Sequence, residues 1–338
     1  MRFQYTSAAR AIWIGAALLA LASLTGCGVQ DASAPSATGS RALASATAQP
    51  EATSAPPAPT ATPQPAASAQ PAAPTATPLP DVAANAGVTD QPNQQFLPVI
   101  TQSAIWYPAP NSSWQWQLTG LPVDQSVDVA VYDIDLFDND ASVIAALHAR
   151  GRRVICYMNA GAWENFRPDS AQFPDALKGK ELDGWPGERW LDIRNLAALG
   201  PLIAARLDLC KAKGFDAVEP DNVDGYSNDS GFPLTAQDQL TYNTFLANAA
   251  HARGLSVGLK NDLDQVTALQ PLFDWALNEQ CFQYAECDML TPFATAGKAV
   301  FQAEYKGPTS AFCPQAKAMH FSAMLKHLLL DAFREACS

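Results

Sequence analysis

The chain has 338 residues, 48% of them hydrophobic, and a formal net charge of −12 at pH 7. Nearly all of the excess negative charge falls after residue 103. An acidic surface argues against nucleic acids and other anionic polymers as partners. The negative charge is compatible with neutral or cationic ligands.

Residues 1–26 have the features of an export signal. An early pair of arginines precedes an apolar run over residues 11–24 that is too short for a stable membrane span. The run ends in Leu24-Thr-Gly-Cys27, which resembles the bacterial lipobox, where cleavage before the cysteine leaves a thiol that carries lipid. We therefore expect a lipoprotein signal peptide, with lipid on Cys27 anchoring the exported protein to a membrane. The alternative is an ordinary signal peptide with a chance cysteine.

The segment after the signal, residues 27–103, is predicted to be a low-complexity linker that begins with the lipidated Cys27. It contains half of the 26 prolines, with Ala, Ser, Thr and Gln filling most other positions. No aromatic residue occurs between Trp13 and Phe96, so the segment cannot bury enough apolar surface to offset its chain entropy. We interpret it as a semi-stiff spacer between the membrane and the domain that follows.

The remaining residues, 104–338, are enough for one α/β domain. Eight apolar runs have the length of buried strands, at 127–134, 153–158, 189–193, 215–219, 255–260, 273–278, 299–304 and 321–325. Helical patterns over 141–149, 196–213 and 237–253 alternate with them, and each is followed by a glycine that can form a left-handed cap. This alternation predicts a single (β/α)8 TIM barrel.

Polar residues lie at the carboxyl ends of most predicted strands, and many are spaced two apart, so they share one face of a strand. They are Asp133, Asp135, Tyr157, Asn159, Asp192, Arg194, Glu219, Asp221, Lys260, Asp262, Glu279, Gln302, Glu304 and Lys326. Barrel enzymes hold their active sites at this end. The densest stretch runs from Gly214 to Tyr226 and includes a third acid, Asp224; its structural alternative is a turn rich in Asp and Asn.

Aromatic residues flank the same region and can either hold sugar faces or pack in the core. They are Trp106, Tyr107, Trp114 and Trp116 before the first predicted strand, and Trp163, Trp185, Trp190 and Tyr226 in or near later loops. Six cysteines remain besides Cys27, which in an exported domain predicts up to three disulfides. We favour pairing Cys281 with Cys287 and Cys313 with Cys337, and leave Cys156 and Cys210 open. The spacing does not fit a zinc site, and neither a metal nor a cofactor is predicted.

Several longer motifs resemble those of glycoside hydrolase family 114, the endo-α-1,4-polygalactosaminidases, and the resemblance extends from Trp106 to Cys337. The matching segments are Trp114–Trp116, Tyr132–Asp135, Ile155–Gly161, Trp190–Asp192, Gly214–Asp224, Lys260–Asp262, Asn278–Cys281 and the Cys313 to Cys337 ending. The Glu-Pro-Asp-Asn motif at Glu219 and the Asn-Glu-Gln-Cys motif at Asn278 are the most specific.

The resemblance implies a barrel that cuts α-1,4-linked galactosamine-containing polysaccharide with two carboxylates. By position these are Asp221, as nucleophile, and Glu279, as acid/base; the rim pattern alone would not prefer them to Glu219 or Glu304. The expected substrate contacts are Trp106, Asp133, Asp135, Tyr157, Asn159, Asp192, Glu219, Asp224, Tyr226, Lys260 and Glu304. We expect an exported monomer with two partners, the polysaccharide and a membrane, and no nucleic acid.

Two other functions remain open at this stage. The first is a barrel enzyme in which Asp133, Asp192, Glu219 and Asp221 hold Mg²⁺ as hard oxygen ligands. The second is a surface glycan-binding lipoprotein that has lost catalysis.

Overall fold

The computed structural model describes residues 104–337, and the predicted signal peptide, Cys27 and linker lie outside the described residues. The strands, in chain order, are β1 (Trp114–Gln117), β2 (Val131–Asp135), β3 (Arg153–Asn159), β4 (Ala162–Glu164), β5 (Lys178–Glu181), β6 (Glu188–Leu191), β7 (Ala217–Asp221), β8 (Ser256–Lys260), β9 (Trp275–Glu279), β10 (Val300–Glu304), β11 (Ser322–Leu325) and β12 (Glu335–Ala336).

The helices lie between successive strands of the main sheet, as expected for β/α units. They are α1 (Ala141–Ala149), α2 (Leu196–Lys213), α3 (Ala236–His251), α4 (Val266–Leu269), α5 (Cys281–Tyr284), α6 (Thr291–Thr295) and α7 (Cys313–Ala318). The first three confirm the predicted helices. Gly151, Gly214 and Gly254 follow them with φ of +74°, +95° and +69°, the left-handed conformation that glycine adopts without strain. No helix within residues 104–337 combines the length and apolar character needed to cross a bilayer.

The predicted barrel is confirmed, with one exchange among its strands. Eight parallel strands curl in the order β1-β2-β3-β7-β8-β9-β10-β11, and β12 adds to β11 in the antiparallel direction. The predicted strand 189–193 was assigned wrongly, because it falls in β6, in a separate antiparallel sheet of order β4-β6-β5. Its place in the barrel is taken by β1.

β1 escaped prediction because two of its four buried residues are glutamines. Gln115 Nε2 donates to Ala332 O at 2.8 Å, and Gln117 Nε2 donates to Thr119 O at 3.1 Å, so loop carbonyls satisfy the buried amides. A strand buried on both faces normally forms a continuous apolar run. The Trp-Gln-Trp-Gln sequence departs from that pattern while remaining compatible with burial.

Two apolar layers hold the barrel together. The inner layer fills the lower part of the barrel and is dominated by large rings, including Trp114, Trp116, Trp275 and Phe301. The outer layer packs the helices against the sheet. Gly258 makes room for the inner layer, since a Cβ at this position would lie 2.3 Å from the Trp275 ring.

Three disulfides cross-link the described part of the chain. The predicted pairs Cys281–Cys287 and Cys313–Cys337 are confirmed, and Cys156–Cys210 joins β3 to α2. Cys313–Cys337 ties α7 to the end of β12, next to the seam where the sheet meets itself.

At this seam, between β1 and β11, residues 104–337 show no strand ladder. Trp114 Nε1 instead donates to Ser322 O at 2.8 Å, and the amides of Leu118 and Thr119 donate to Leu330 O at 2.8 and 3.2 Å.

Candidate active site

Three neighbouring strands end in ionisable residues at one edge of the barrel. Asp221 is the last residue of β7, Lys260 the last of β8 and Glu279 the last of β9. Because these strands are parallel and adjacent, their carboxyl ends meet at the same rim. Alternation along each strand directs these side chains inward, above the apolar inner layer.

The backbone turns sharply just after each of these residues. Asn222, Asn261 and Gln280 have φ of +60°, +50° and +65°, the left-handed region that asparagine tolerates better than most residues. Gly161 leaves room for the first turn, because a Cβ there would lie 1.7 Å from Asn222 O. The sequence motifs Asp-Asn and Lys-Asn at these strand ends therefore have a conformational reason.

The ammonium group of Lys260 lies between three carboxylates. Its Nζ is 2.8 Å from Glu219 Oε1, 3.0 Å from Asp221 Oδ1 and 3.3 Å from Glu279 Oε2. The Trp116 ring lies beneath it, with its centroid 4.8 Å from Nζ. Burial alone would lower the pKa of Lys260, but the charges of Asp221, Glu219 and Glu279 outweigh it and raise the pKa well above its usual value. Lys260 is therefore the fixed positive charge of the site.

Two fully buried acids support this cluster from below. The side chains of Asp133 and Glu219 are fully buried, and within residues 104–337 neither carboxyl oxygen of Asp133 has a hydrogen-bond partner. Burial, followed by the negative charge of Glu219, raises the pKa of Asp133 well above its usual value. Burial and the charge of Glu219 therefore favour the protonated form of Asp133, while Glu219 accepts from Lys260 Nζ at 2.8 Å.

Asp221 is fixed by donors on two sides. The Tyr157 hydroxyl donates to Asp221 Oδ2 at 2.9 Å, and the Asn222 amide donates to Oδ1 at 2.8 Å. Burial raises the pKa of Tyr157 well above its usual value, and the charge of Asp221 raises it further. The hydroxyl therefore keeps its proton and remains a donor.

Glu279 has a parallel arrangement. The Tyr305 hydroxyl donates to Glu279 Oε1, and Asn261 Nδ2 donates to Oε2 at 3.3 Å. Asn261 Oδ1 also accepts from the Glu279 amide at 3.0 Å, so one side chain holds both the backbone and the carboxylate. Burial and then the charge of Glu279 raise the pKa of Tyr305 well above its usual value, which keeps this hydroxyl protonated too.

Exposure separates the acids that can reach a ligand from those that cannot. The side chains of Asp221 and Glu279 are 19% and 25% exposed, whereas Glu219 is fully buried. Glu304 is buried as well and faces away from the cluster, accepting from the Phe282 amide at 3.0 Å and from Gln302 Nε2 at 2.7 Å. Burial thus favours Asp221 and Glu279 over the other two acids, a choice that the rim pattern left open.

Several predicted substrate contacts have other partners in the structure. Asp135 is buried in a bidentate pair with Arg167, at 2.9 and 2.6 Å. Asp192 lies directly after β6 and pairs with Arg194 at 2.7 and 2.8 Å. These two acids therefore have structural contacts that account for their charge.

Trp106 does not join the site either. Its ring lies 5.7 Å from the guanidinium of Arg153, the first residue of β3, and so packs at the amino-terminal end of the barrel. We predicted Trp106 at the rim, because the sequence does not show at which end of the barrel an aromatic residue before the first strand lies. Its position rather than its residue type was misjudged.

Asp224 and Tyr226 lie on the loop that follows β7, beyond the cluster around Lys260. The Tyr226 amide donates to Gln239 Oε1 at 3.4 Å, and Asn228 Nδ2 donates to the Asp224 carbonyl at 3.0 Å. Asp262 lies after β8, and burial together with the charges of Asp224 and Asp264 raises its pKa to about 9. Asp224 and Tyr226 therefore lie on the loop that leads directly out of the strand of Asp221.

Sequence reasoning missed three groups at the rim. Tyr305 was passed over for Glu304, although the register of Ala303 with Glu279 places Tyr305 on the inward face and Glu304 on the outward one. Asn261 was quoted only as part of a motif. Glu188 was not considered, because it precedes the predicted barrel strand 189–193 rather than following it; Asn159 Nδ2 donates to its Oε2 at 3.2 Å and joins the small sheet to the rim.

The four acids of the magnesium hypothesis do not converge. Asp192 is paired with Arg194, while Asp133 and Glu219 are both fully buried, and Glu219 is paired with Lys260. The ammonium of Lys260, at 2.8 and 3.0 Å from Glu219 and Asp221, occupies the place where a cation would have to sit. The residues that are present do not fit a magnesium centre.

Comparison with known proteins agrees with this geometry. The sequence profile of glycoside hydrolase family 114 matches residues 98–338. The chain is similar to Aspergillus fumigatus Ega3, solved in complex with galactosamine, at 45% identity and a TM-score of 0.67, over 70% of this chain and 98% of that one. It shares its fold with the glycoside hydrolase domain of PelA from Pseudomonas aeruginosa, at 11% identity and a TM-score of 0.54, over 67% and 98% of the two chains.

No curated protein sequence matches the chain. The family profile nevertheless covers the whole barrel, and the solved relative at 45% identity is matched over nearly its full length. The chain therefore belongs to glycoside hydrolase family 114.

Proposed function

We propose that this barrel is an endo-acting glycoside hydrolase that cleaves α-1,4-linked galactosamine-containing polysaccharide, with Asp221 and Glu279 as its catalytic carboxylates. The observation that carries the proposal is the pair itself: two partly exposed carboxylates at one rim, each held by a tyrosine hydroxyl and both bridged by Lys260. Endo action and the galactosamine substrate are supported by the family and by the galactosamine complex of Ega3.

The geometry suits a double displacement. Asp221 attacks the anomeric carbon while Glu279 protonates the leaving oxygen, and Glu279 then activates the water that releases the sugar. Tyr157 and Tyr305 orient the two carboxylates, and the positive charge of Lys260 lets both occupy one small cleft. Two oxygens that share an ammonium at 3.0 and 3.3 Å cannot be farther apart than the sum of those distances. This bound concerns the oxygen of each carboxylate that faces Lys260, and we propose retention because these two oxygens lie closer than the roughly 6.5–9.5 Å between the carboxyl groups of inverting enzymes.

A non-catalytic glycan-binding lipoprotein is the weaker candidate. A binding site needs no pair of carboxylates that are each oriented by a separate tyrosine and amide. Such an arrangement leaves two charged groups close together at the rim, a cost that catalysis explains and simple binding does not.

Incubation of the purified domain with partly deacetylated galactosaminogalactan tests the proposal. We expect oligosaccharides of intermediate length from the earliest times, with the α anomer formed first. Release of monosaccharide only, or tight binding without any product, would contradict it. Asp221→Asn and Glu279→Gln proteins serve as matched inactive controls.

We propose a location for the enzyme from sequence features that precede the barrel. Lipid on Cys27 would hold a monomeric, exported enzyme at a membrane surface, and the linker would give the barrel reach toward the polymer. Cys27→Ser should leave activity intact while releasing the protein from membranes. Sedimentation of that variant with membranes after signal cleavage would contradict the anchor.

A further inference from the structure

Glu188 lies beside the proposed nucleophile but belongs to a different sheet. It is the first residue of β6, and its Oε2 accepts from Asn159 Nδ2 at 3.2 Å. Asn159 is the register partner of Asp221 in the parallel ladder between β3 and β7. Glu188 therefore borders the site on the β3 side of Asp221, whereas Lys260 and Glu279 lie on the other side.

Glu188 lacks a counter-charge. Within residues 104–337, no lysine or arginine forms an ion pair with it. Arg167 is held by Asp135 and Glu164, and Arg189 donates to the backbone carbonyls of Lys178 and Gly179. The side chain is half-buried and has one hydrogen-bond partner, the uncharged amide of Asn159.

Its closest charged neighbours are mostly of the same sign. Glu164 is its direct partner in the antiparallel ladder of β4 and β6, and like charges opposite each other destabilise a sheet. Burial first, and then the charges of Glu164 and Asp221, raise the pKa of Glu188 to about 8, with Arg167 opposing them. Arg167 is near enough to act on Glu188 but forms no ion pair with it, and a half-buried acid among other acids without an ion-pair partner is a feature of functional sites.

The proposed substrate supplies the missing cation, and this step rests on the proposed function. In a galactosamine unit the amine is on carbon 2, adjacent to the anomeric carbon that Asp221 would attack. The amine must therefore lie close to Asp221. On the β8 side it would meet the ammonium of Lys260, which lies 3.0 Å from Asp221 and would repel it. On the β3 side it would meet Glu188.

We propose that Glu188 receives the ammonium group of the galactosamine unit bound at Asp221 and thereby makes the site select free amines over N-acetylated sugars. An acetamido group offers no charge to the carboxyl and adds bulk on the same side. A neutral Glu188 that takes up this cation gives its own proton to solvent, so binding is accompanied by proton release. Glu188 is thus a specificity-determining residue, distinct from the two carboxylates that act on the bond.

The kinetic test compares two substrates. Glu188→Gln keeps the shape and the bond from Asn159, and we expect kcat/KM on fully deacetylated galactosamine oligomers to fall about 10- to 100-fold, as for the loss of one charge-assisted hydrogen bond. On fully N-acetylated oligomers of equal length, however slowly they react, the same change should leave kcat/KM within about twofold or raise it. Glu181→Gln, an exposed acid on neighbouring β5, is the matched control and should alter neither value.

A binding measurement separates specificity from a structural role. Calorimetry of the wild-type protein near pH 7, in buffers of different ionisation enthalpy, should show proton release when galactosamine binds and none with N-acetylgalactosamine. Glu188→Gln should lose both the proton release and the preference for galactosamine. Equal losses on both substrates, or an unchanged preference in the variant, would overturn the assignment. If the wild-type protein cleaves neither oligomer, the proposed function itself fails.

Discussion

Tyr305 and Glu279 are joined across neighbouring strands, because the Tyr305 hydroxyl donates to Glu279 Oε1. Tyr305→Phe removes only this donor, and we expect kcat to fall about 10- to 100-fold with little change in KM, since the hydroxyl orients the acid rather than the sugar. Steady-state kinetics on galactosamine oligomers measure kcat and KM separately. Tyr284→Phe, at a ring that is 47% exposed, is the control and should behave as wild type. A rise in KM with unchanged kcat would show that Tyr305 binds substrate instead.

The carboxylate pair is tested by Asp221→Asn and Glu279→Gln, which preserve shape but remove the charge or the transferable proton. Each should reduce kcat by several orders of magnitude, and the double variant should be hardly worse than the worse single one, because groups that act as a unit are strongly non-additive.

Glu219→Gln gives the ranking among these acids. Glu219 is fully buried and contacts Lys260 rather than the cleft, so its loss should cost less activity than the loss of Asp221. If Glu219→Gln abolishes turnover while Asp221→Asn retains it within about tenfold, Glu219 is the better candidate nucleophile.

Lys260→Met tests the bridging cation. Removing one partner of a buried charge cluster leaves the others uncompensated, which typically costs about 3–5 kcal/mol. We expect a clear fall in the free energy of unfolding from denaturant titrations, together with loss of activity. Lys306→Met removes an exposed lysine near the same rim and should change neither. If Lys260→Met is as stable as the wild-type protein, protonation must relieve the repulsion among the remaining carboxylates instead.

The pH dependence of stability should contain a contribution from Asp262. Its folded-state pKa of about 9 lies above the ordinary value for an aspartate, because burial and the charges of Asp224 and Asp264 disfavour its ionised form. The contribution is fully present below the unfolded-state pKa of about 3.9 and is lost as the pH rises through about 9. Asp262→Asn should therefore gain stability relative to wild type as the pH increases over that window. Thermal melts at several pH values measure the difference, and exposed Asp264→Asn, which should show a smaller gain, is the control.

Cys313–Cys337 should contribute to the stability of the whole domain. Replacing both cysteines with alanine removes the staple between α7 and the end of β12, and loss of a native disulfide typically costs about 2–5 kcal/mol. Melting curves under oxidising conditions measure the change. The Cys281–Cys287 pair closes a segment of only six residues and should contribute less when replaced in the same way. An unchanged melting temperature without Cys313 and Cys337 would contradict the prediction.

The barrel was predictable from the sequence because its signals are local. Gly214 follows α2 in the left-handed conformation, as its position in the sequence predicts, and Thr235 begins α3 with reciprocal hydrogen bonds to Asp238. β1 and β6 were exchanged because strand pairing is not local: both segments have four residues with polar side chains among them, and only the register shows which one joins β2.

The site residues also divide into those with local sequence signals and those that depend on contacts between distant segments. Motifs placed Asp221, Lys260 and Glu279 at strand ends, and parallel geometry brought them together. Burial, which decides between Asp221 and Glu219, depends on the whole barrel and cannot be read from two residues on one strand. Tyr305 and Glu188 depend on register and on contact between two sheets, respectively.

The unpaired seam gives the barrel a preferred place to open. β1 pairs with a strand on one side only and meets β11 through one indole hydrogen bond and loop amides, so within residues 104–337 its backbone amides have fewer ladder partners than those of β11, which lies between β10 and β12. Native-state hydrogen exchange should therefore be faster in β1 than in β3, β7 or β11. The three strands that hold Asp221, Lys260 and Glu279 lie at the middle of the sheet. Local opening at the edge of the sheet can therefore occur while the positions of these three side chains stay unchanged.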